Sequence, residues 1–514
     1  MKTKSLAILI CLLIFGVANA GEKTTTNKGK LHRNHLATSN YYSELISGAA
    51  PQIAELNLFT NMLPKGGDLH HHYSGAIYAE TYLDWVGTQN YCIYRESNPE
   101  LKVQKYHIET KLAELSEAAR KICISADATR KDNAFYRELL KRWSDKDYDN
   151  HYHEQSAPDQ QFFDTFGFFG PVSNYSYHDG LQSLKERAIA ENVQYLETML
   201  KAAPDVDNPD LARKLNDLNA KSSDQQIAEA LTAFSDFLAN DPESKEKISN
   251  YVQTMKEAAE GIDDANFKLR FQSYVSRNSA PATVFSGLYS SFSAAKASKL
   301  VVGVNIVGPE NGQVAMRDYT LHMKMFRFLK QRFPGVKLSL HAGELALGMV
   351  PPEGLKSHID EALQIADADR IGHGVDIAHE TNAYELLGIM KKRKIAVEVN
   401  LTSNAFILGV KNEAHPVLLY RQHNVPFVIS TDDAGVSRNN LSNEYLLYAS
   451  RYKPSYGELK RVVYNSIRYS FLSEHEKRQE LLELDKRFAA FEEKIANIAH
   501  SPRGRDLTTS QEHR

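Results

Sequence analysis

The chain has 514 residues, 42% hydrophobic and 24% charged, with a formal net charge of −3. That is ordinary globular composition, enough for one large domain with insertions or two to three average ones. There is no long basic block, so no nucleic-acid partner is expected.

The first residues read MKTKSLAILICLLIFGVANA. Lys2 and Lys4 precede an apolar run from Ser5 to Val17, and Ala18-Asn19-Ala20 is a small-residue cleavage pattern. This predicts a signal peptide over 1–20 and an exported protein, periplasmic or secreted. The run is too short to cross a bilayer comfortably, and no later stretch is long enough, so no membrane attachment is expected after cleavage. Residues 21–40 are polar and turn-rich and read as a mobile leader. Within 21–61, the apolar positions Leu45, Ile46, Ile53, Leu56, Leu58 and Phe59 predict helix. Of three cysteines, Cys11 lies in the signal, leaving Cys92 and Cys123. An exported pair suggests a disulfide; two unpaired buried thiols are the alternative. Two cysteines without a CxxC spacing exclude a structural zinc finger.

Eight apolar runs follow, at 66–72, 192–200, 267–277, 300–308, 336–344, 370–377, 395–404 and 425–433. Several are continuous Val/Ile/Leu runs, as in strands buried on both faces of a parallel sheet. Stretches between them, such as 318–333 and 382–394, carry helix formers. The pattern predicts an α/β fold, a (β/α)8 TIM barrel over 62–500, with a doubly wound open sheet as the alternative. The surplus length predicts helical insertions after strands 1 and 2, at about 86–185 and over 201–262. Residues 501–514 are polar and read as a disordered tail.

In such a barrel, reactive groups sit at the C-terminal ends of strands. Here strand one ends in His70-His71-His72 and strand five in His341-Ala342-Gly343-Glu344. Strand six carries His373, and strand eight ends in Asp432-Asp433. Residues two apart in a strand point to one side, so His70 and His72 pair and His71 points away. Three histidines and a carboxylate suffice for zinc or a similar divalent ion. A lone histidine is more often structural; the joint pattern over four strand ends carries the inference.

The stretches MLPKGGDLHHHYSGA, SLHAGE, RIGHG and STDD resemble, in order and separation, the motifs of the adenosine deaminase family. The PKGG lead, the signal and the early insertion are most similar to its secreted, growth-factor-related branch. The resemblance covers about residues 62–450. It implies one zinc ion per chain, held by His70, His72, His341 and Asp432. It implies that Glu344 shares a proton with purine N1, and that His373 orients the hydroxide and helps take its proton. Asp433 would bond N7, and the Gly308 backbone N–H would meet N3. The implied reaction is hydrolytic deamination of adenosine, and of 2′-deoxyadenosine, to inosine and ammonia. The implied partner is a small purine nucleoside, and the N-terminal helical segment would support a homodimer.

The residues themselves fit these roles. A buried carboxyl at Glu344 facing an apolar ring would have a raised pKa, as an acid working at neutral pH needs. Ser74 stands where many members have an acid that contacts the ribose, which opens the choice of sugar. An aminohydrolase acting on adenine or a modified adenine nucleoside is one alternative. A secreted binding or signalling protein on a deaminase scaffold is another. His71 reads as a packing or supporting residue, Tyr73 as pocket wall or packing, and His415 as structural. Glu197 and Arg277 read as pocket groups or barrel-layer ion pairs. Deaminases of bases in nucleic acids use H-x-E with P-C-x-x-C, which is lacking here. Asn-x-Ser/Thr patterns fall at 174–176, 400–402 and 440–442.

Overall fold

The structure, a computed structural model, describes residues 28–146, 148 and 156–501. The signal peptide expected at 1–20, and all of the expected tail but Ser501, lie outside the described residues.

Eight strands form one sheet in chain order. They are β1 (Gly66–His72), β2 (Val193–Met199), β3 (Lys268–Ser276), β4 (Val301–Val307), β5 (Lys337–Ala342), β6 (Arg370–His373), β7 (Ala396–Val399) and β8 (Phe427–Ile429). Every neighbouring pair is parallel. The ring closes just past β8, where Asp432 bridges His71 in parallel register. There the Asp432 N–H donates to the His70 carbonyl at 2.9 Å, and the His72 N–H donates to the Asp432 carbonyl at 3.2 Å. The fold is therefore a (β/α)8 barrel, as the strand count predicts. The strands read as unbroken apolar runs because both faces are covered; β2 is buried at every position.

The insertion after β1 is not purely helical. It holds a small antiparallel sheet of Ile108–Glu109, Cys92–Tyr94 and Cys123–Ser125, tied by a Cys92–Cys123 disulfide. Strands of two or three residues are too short to show a period, which is why the sequence pattern misses them. Its helices include Pro158–Phe169, which reaches over the barrel mouth. The insertion after β2 is helical as expected, with Pro209–Asn216, Asp224–Asn240 and Pro242–Ala258 capped by Asn208, Ser223 and Asp241. These three helices pack on Pro281–Ala297. That extra layer explains why Pro281–Ala297 is buried nearly all round.

The polar leader is also corrected. Residues 28–45 are helical and lie against the long C-terminal helix Glu474–Ala499. Thr38 Oγ1 donates to the Glu492 carbonyl at 3.2 Å, and His35 Nδ1 pairs with the Glu492 carboxylate at 2.9 Å. Polar contacts dock its first part, over 28–40, so that stretch reads as loop, while Tyr42 and Leu45 near its end are buried in the core. Among the described residues, no helix is long and apolar enough to cross a membrane.

Candidate active site

The site forms at the C-terminal mouth of the barrel. Strand pleating turns His70 and His72 toward the centre, where they meet His341 from the end of β5. The His72 and His341 Nε2 atoms are 3.3 Å apart. Asp432 Oδ1 lies 3.5 Å from His70 Nε2 and 3.3 Å from His72 Nε2. Ligand atoms of His70, His72 and His341 lie within 4.8 Å of one another, as do those of His70, His373 and Asp432. Three nitrogens and a carboxylate oxygen converging from three strand ends fit a zinc ion. His71 points away, and its Nδ1 meets Thr198 Oγ1 at 2.9 Å.

Two of the converging residues have left-handed backbones, His373 at φ 66° and Asp432 at φ 60°. Such positions are costly outside glycine and cluster at functional sites. The turn at Asp432 lets the adjacent Asp433 also face the pocket. Asp433 lies directly over Gly75, where an added Cβ would sit 1.5 Å from its Oδ1. Gly372 similarly makes room for the His70 ring, 3.0 Å from where its Cβ would be.

The pocket encloses about 180 Å³ and is lined by His72, Ser74, Gly308, His341, Glu344, His373, Asp432 and Asp433. Every expected site residue is therefore at one place, with His70 fully buried beneath the others. Phe162, Phe163 and Phe166 of helix Pro158–Phe169, with Tyr274 and Val307, supply an apolar wall that the sequence reading did not single out. Three aromatics on one helix face look like core packing. Tyr73 is packing: it is buried and its hydroxyl donates to the Ser176 carbonyl at 3.2 Å. Glu197 is a barrel-layer group paired with Arg370 at 2.8 Å. Arg277 donates to the His341 carbonyl at 2.6 Å and pairs with Glu310 at 3.2 Å.

Burial, with the Asp432 and Glu310 carboxylates, pushes Glu344 well above the usual carboxylate range. Burial and the neighbouring Asp432 do the same to Asp433. Burial opposes ionisation of Asp432 too, but hydrogen bonding and the charge of His70 hold it well below. Burial lowers His72 to about 4 and His373 to about 3, and puts His341 well below its ordinary value, so all three are neutral at pH 7. His70 differs. Burial lowers it, but Asp432 and Glu398 outweigh burial and lift it to about 10. A cation entering the site would displace that proton.

Hydrogen-bond polarity fixes the His373 tautomer. The Val417 N–H donates to His415 Nδ1 at 3.2 Å, so His415 donates from Nε2 to Asn404 Oδ1 at 3.1 Å. The Asn404 amide then donates to His373 Nδ1 at 2.9 Å, which leaves the His373 proton on Nε2. His373 Nε2 lies 3.9 Å from Asp432 Oδ2, facing the converging ligands. His373 can thus donate to an oxygen there. The expectation that it also takes that oxygen's proton does not fit this tautomer. Beyond His415 itself, this chain of contacts has no local signal in the sequence.

Residues 241–487 match the family model described as Adenosine deaminase. That stretch carries an adenosine deaminase family domain. An adenosine deaminase of Clostridium perfringens is 30% identical over 177 residues, covering 34% of this chain and 48% of the relative. One from Yersinia pseudotuberculosis is 32% identical over 151 residues, covering 29% of this chain and 42% of the relative. The chain spans about half the length of the curated relatives it matches. Among solved structures, an amidohydrolase from Burkholderia ambifaria, described with bound zinc, superposes with a TM-score of 0.50 at 18% identity, covering 86% of this chain and 94% of that one. An Arabidopsis N6-mAMP deaminase superposes with a TM-score of 0.52 at 16% identity, covering 84% of this chain and 99% of that one. These likenesses place the chain in the same fold.

Proposed function

We propose that this protein is a zinc-dependent hydrolytic deaminase that converts adenosine, and 2′-deoxyadenosine, to inosine and ammonia. One observation carries the reading: Glu344, whose carboxyl burial pushes well above the usual carboxylate range, shares a single pocket with the cluster of His70, His72, His341 and Asp432. Those four residues would hold one zinc ion, which supplies Lewis acidity and makes hydroxide available near neutral pH.

The remaining groups match the edge of a 6-aminopurine. Its ring nitrogens N1, N3 and N7 all accept hydrogen bonds. A protonated Glu344 donates toward N1 and makes C6 electrophilic. A protonated Asp433 donates toward N7, and the Gly308 N–H is available to N3. The Phe162, Phe163 and Phe166 rings cover the base and exclude water. His373, with its proton on Nε2, orients the oxygen that attacks C6. Water adds across the C6–N1 bond: its hydroxyl goes to C6, Glu344 delivers its proton to N1, and the water's other proton returns to the Glu344 carboxylate. The C6–amino bond then breaks as the C6 hydroxyl proton passes to the amino nitrogen, leaving the C6 carbonyl and releasing ammonia.

The second reading concerns the sugar. Ser74 lines the pocket as a neutral group, so nothing charged at that position selects an unmodified ribose. This favours keeping adenine and modified adenine nucleosides as substrates to be compared. A scaffold without activity would be expected to have lost a ligand or Glu344, and none is lost.

Export is part of the proposal. It rests on the leader pattern and on the Cys92–Cys123 pair, since disulfides persist in oxidising compartments. The N-terminal segments leave Leu31, Leu36, Ile53 and Leu58 exposed, which supports a homodimer that sedimentation would detect.

The deciding experiment is ammonia release from adenosine by residues 21–514, beside Glu344→Gln, with zinc measured in both. Release by the wild type alone, with zinc in both, is expected. No release from adenosine but release from adenine would overturn the nucleoside assignment. No release from either, and no metal, would overturn the enzyme reading.

A further inference from the structure

Beneath the mouth, the barrel interior holds a buried chain of polar groups that joins His70 to His341. Arg370 stands at its middle, buried at the start of β6. Its Nε donates to Glu398 Oε1 at 2.5 Å, and Nη2 and Nη1 donate to the two Glu197 oxygens at 2.8 and 3.1 Å. Glu398 Oε2 meets His70 Nδ1 at 2.7 Å. On the other arm, Gln272 Nε2 donates to Glu197 Oε1 at 3.5 Å, the longest link, and to the Leu69 carbonyl at 3.1 Å. Asn305 Nδ2 donates to Gln272 Oε1 at 2.9 Å, and Asn305 Oδ1 meets His341 Nδ1 at 2.9 Å.

The direction of the His70 arm is forced from the centre, and the His341 arm runs in the same sense, held also by the Leu69 carbonyl and two backbone N–H groups. A guanidinium can only donate, and an ionised carboxylate can only accept. Glu398 therefore accepts from His70 Nδ1–H. Glu197 accepts from the Gln272 amide, which turns the Gln272 oxygen toward Asn305. Asn305 in turn presents its oxygen to His341 Nδ1–H. The His341 and Ile306 backbone N–H groups reinforce that orientation at 3.3 and 2.8 Å. Both imidazoles then carry a proton on the outer nitrogen and a lone pair on Nε2, facing the pocket. Reversing the polarity of either arm would aim an N–H at the cation.

We propose that Arg370, acting through Glu398, sets the hydrogen-bond polarity that presents the Nε2 lone pair of His70 to the metal. This inference rests on the metal site proposed above. Arg370 is a positioning residue that touches neither metal nor substrate. Its guanidinium is held in place by the Phe471 ring, 3.7 Å from the ring centre, and by donation to the Tyr469 carbonyl at 3.0 Å.

The test measures zinc affinity of residues 21–514 by competition with a chromophoric chelator, alongside thermal unfolding of the metal-free protein. Arg370→Met is expected to weaken zinc binding by about 10–100-fold, in line with losses of supporting groups at other metal sites. Arg370→Lys keeps a donor-only group and is expected to lie closer to wild type. Folded Arg370→Met with wild-type zinc affinity overturns the proposal. If Arg370→Met does not fold, Glu398→Gln decides. Arg370 and Ser339 would hold its amide oxygen and turn its NH2 toward His70, and a loss of at least about tenfold is expected. Unchanged affinity there also overturns the proposal. A wild type that binds no zinc removes the metal reading itself, an outcome distinct from equal binding by wild type and variants.

Discussion

Glu310 grips Glu344 from behind. Its Oε2 accepts the Glu344 backbone N–H at 2.9 Å, and its Oε1 accepts that of Gly343 at 3.0 Å. Arg277 at 3.2 Å and His358 at 2.6 Å complete a buried clamp on the same carboxylate. These partners outweigh burial and hold Glu310 at about 2, so it stays charged at every working pH. Glutamine at 310 would offer one acceptor where four donors converge. Glu310→Gln should lower kcat by about 10–100-fold, the cost of misplacing a reacting group by a fraction of an ångström. Zinc content should stay near wild type, and an unchanged kcat would show that the clamp is dispensable.

Gly75 and Asp433 make a second test of geometry. An alanine at 75 would place its Cβ 1.5 Å from Asp433 Oδ1, so the carboxyl must move. If Asp433 donates to the purine, Gly75→Ala should lower kcat/KM at least about tenfold, the loss of one hydrogen bond in a dry site. Elemental analysis should find the metal retained. Wild-type kinetics would remove Asp433 from purine recognition.

Asp145 lies away from the expected ligands and predicts a pH effect on stability. Among the described residues, its carboxyl oxygens are buried without a hydrogen-bond partner, and burial raises its pKa from 3.8 to about 8. Between those values the folded chain binds a proton that the unfolded chain releases. Its contribution to stability is therefore complete below the lower value and is lost as pH rises toward the upper one. Asp145→Asn removes this term. The variant should gain on the wild type by a few kcal/mol in urea unfolding at pH 8 and by little at pH 4. An equal difference at both pH values would contradict this.

The Cys92–Cys123 bridge spans 31 residues of sequence. Closing such a loop suggests about 3–4 kcal/mol of stabilisation in the chain-entropy account. Thiol titration of unfolded 21–514 should find no free thiol, and Cys92→Ser with Cys123→Ser should lower stability by about that amount. Two titratable thiols in the wild type would rule the bridge out.

The strand ends were legible because each is an apolar run that stops in a histidine or an acid. That is a local signal, readable at His341, His373 and Asp432. Glu398 and Asn305 were legible in principle, since each interrupts an otherwise apolar strand with one polar side chain. A buried polar residue demands a partner, and here each partner is a site histidine. The phenylalanine wall was not legible. Phe162, Phe163 and Phe166 come from an insertion whose docking depends on contacts distant in sequence. The tautomer of His373 was hidden for the same reason, because it is set through Asn404 and His415. The first part of the leader helix has no legible period because Thr38 and His35 dock it through Glu492, and polar docking has no hydrophobic period.

The bridge between Asp432 and His71 places the first and last strands of the barrel side by side. During synthesis, His70 and His72 emerge some 360 residues before Asp432. For most of that interval His70 and His72 lack the carboxylate that faces them, and β1 lacks one of its two neighbours. An ion bound early would be held by fewer donors than the finished cluster offers. Secure capture and the last join of the barrel wall would thus become one event, and an ion in place would rivet the seam against reopening.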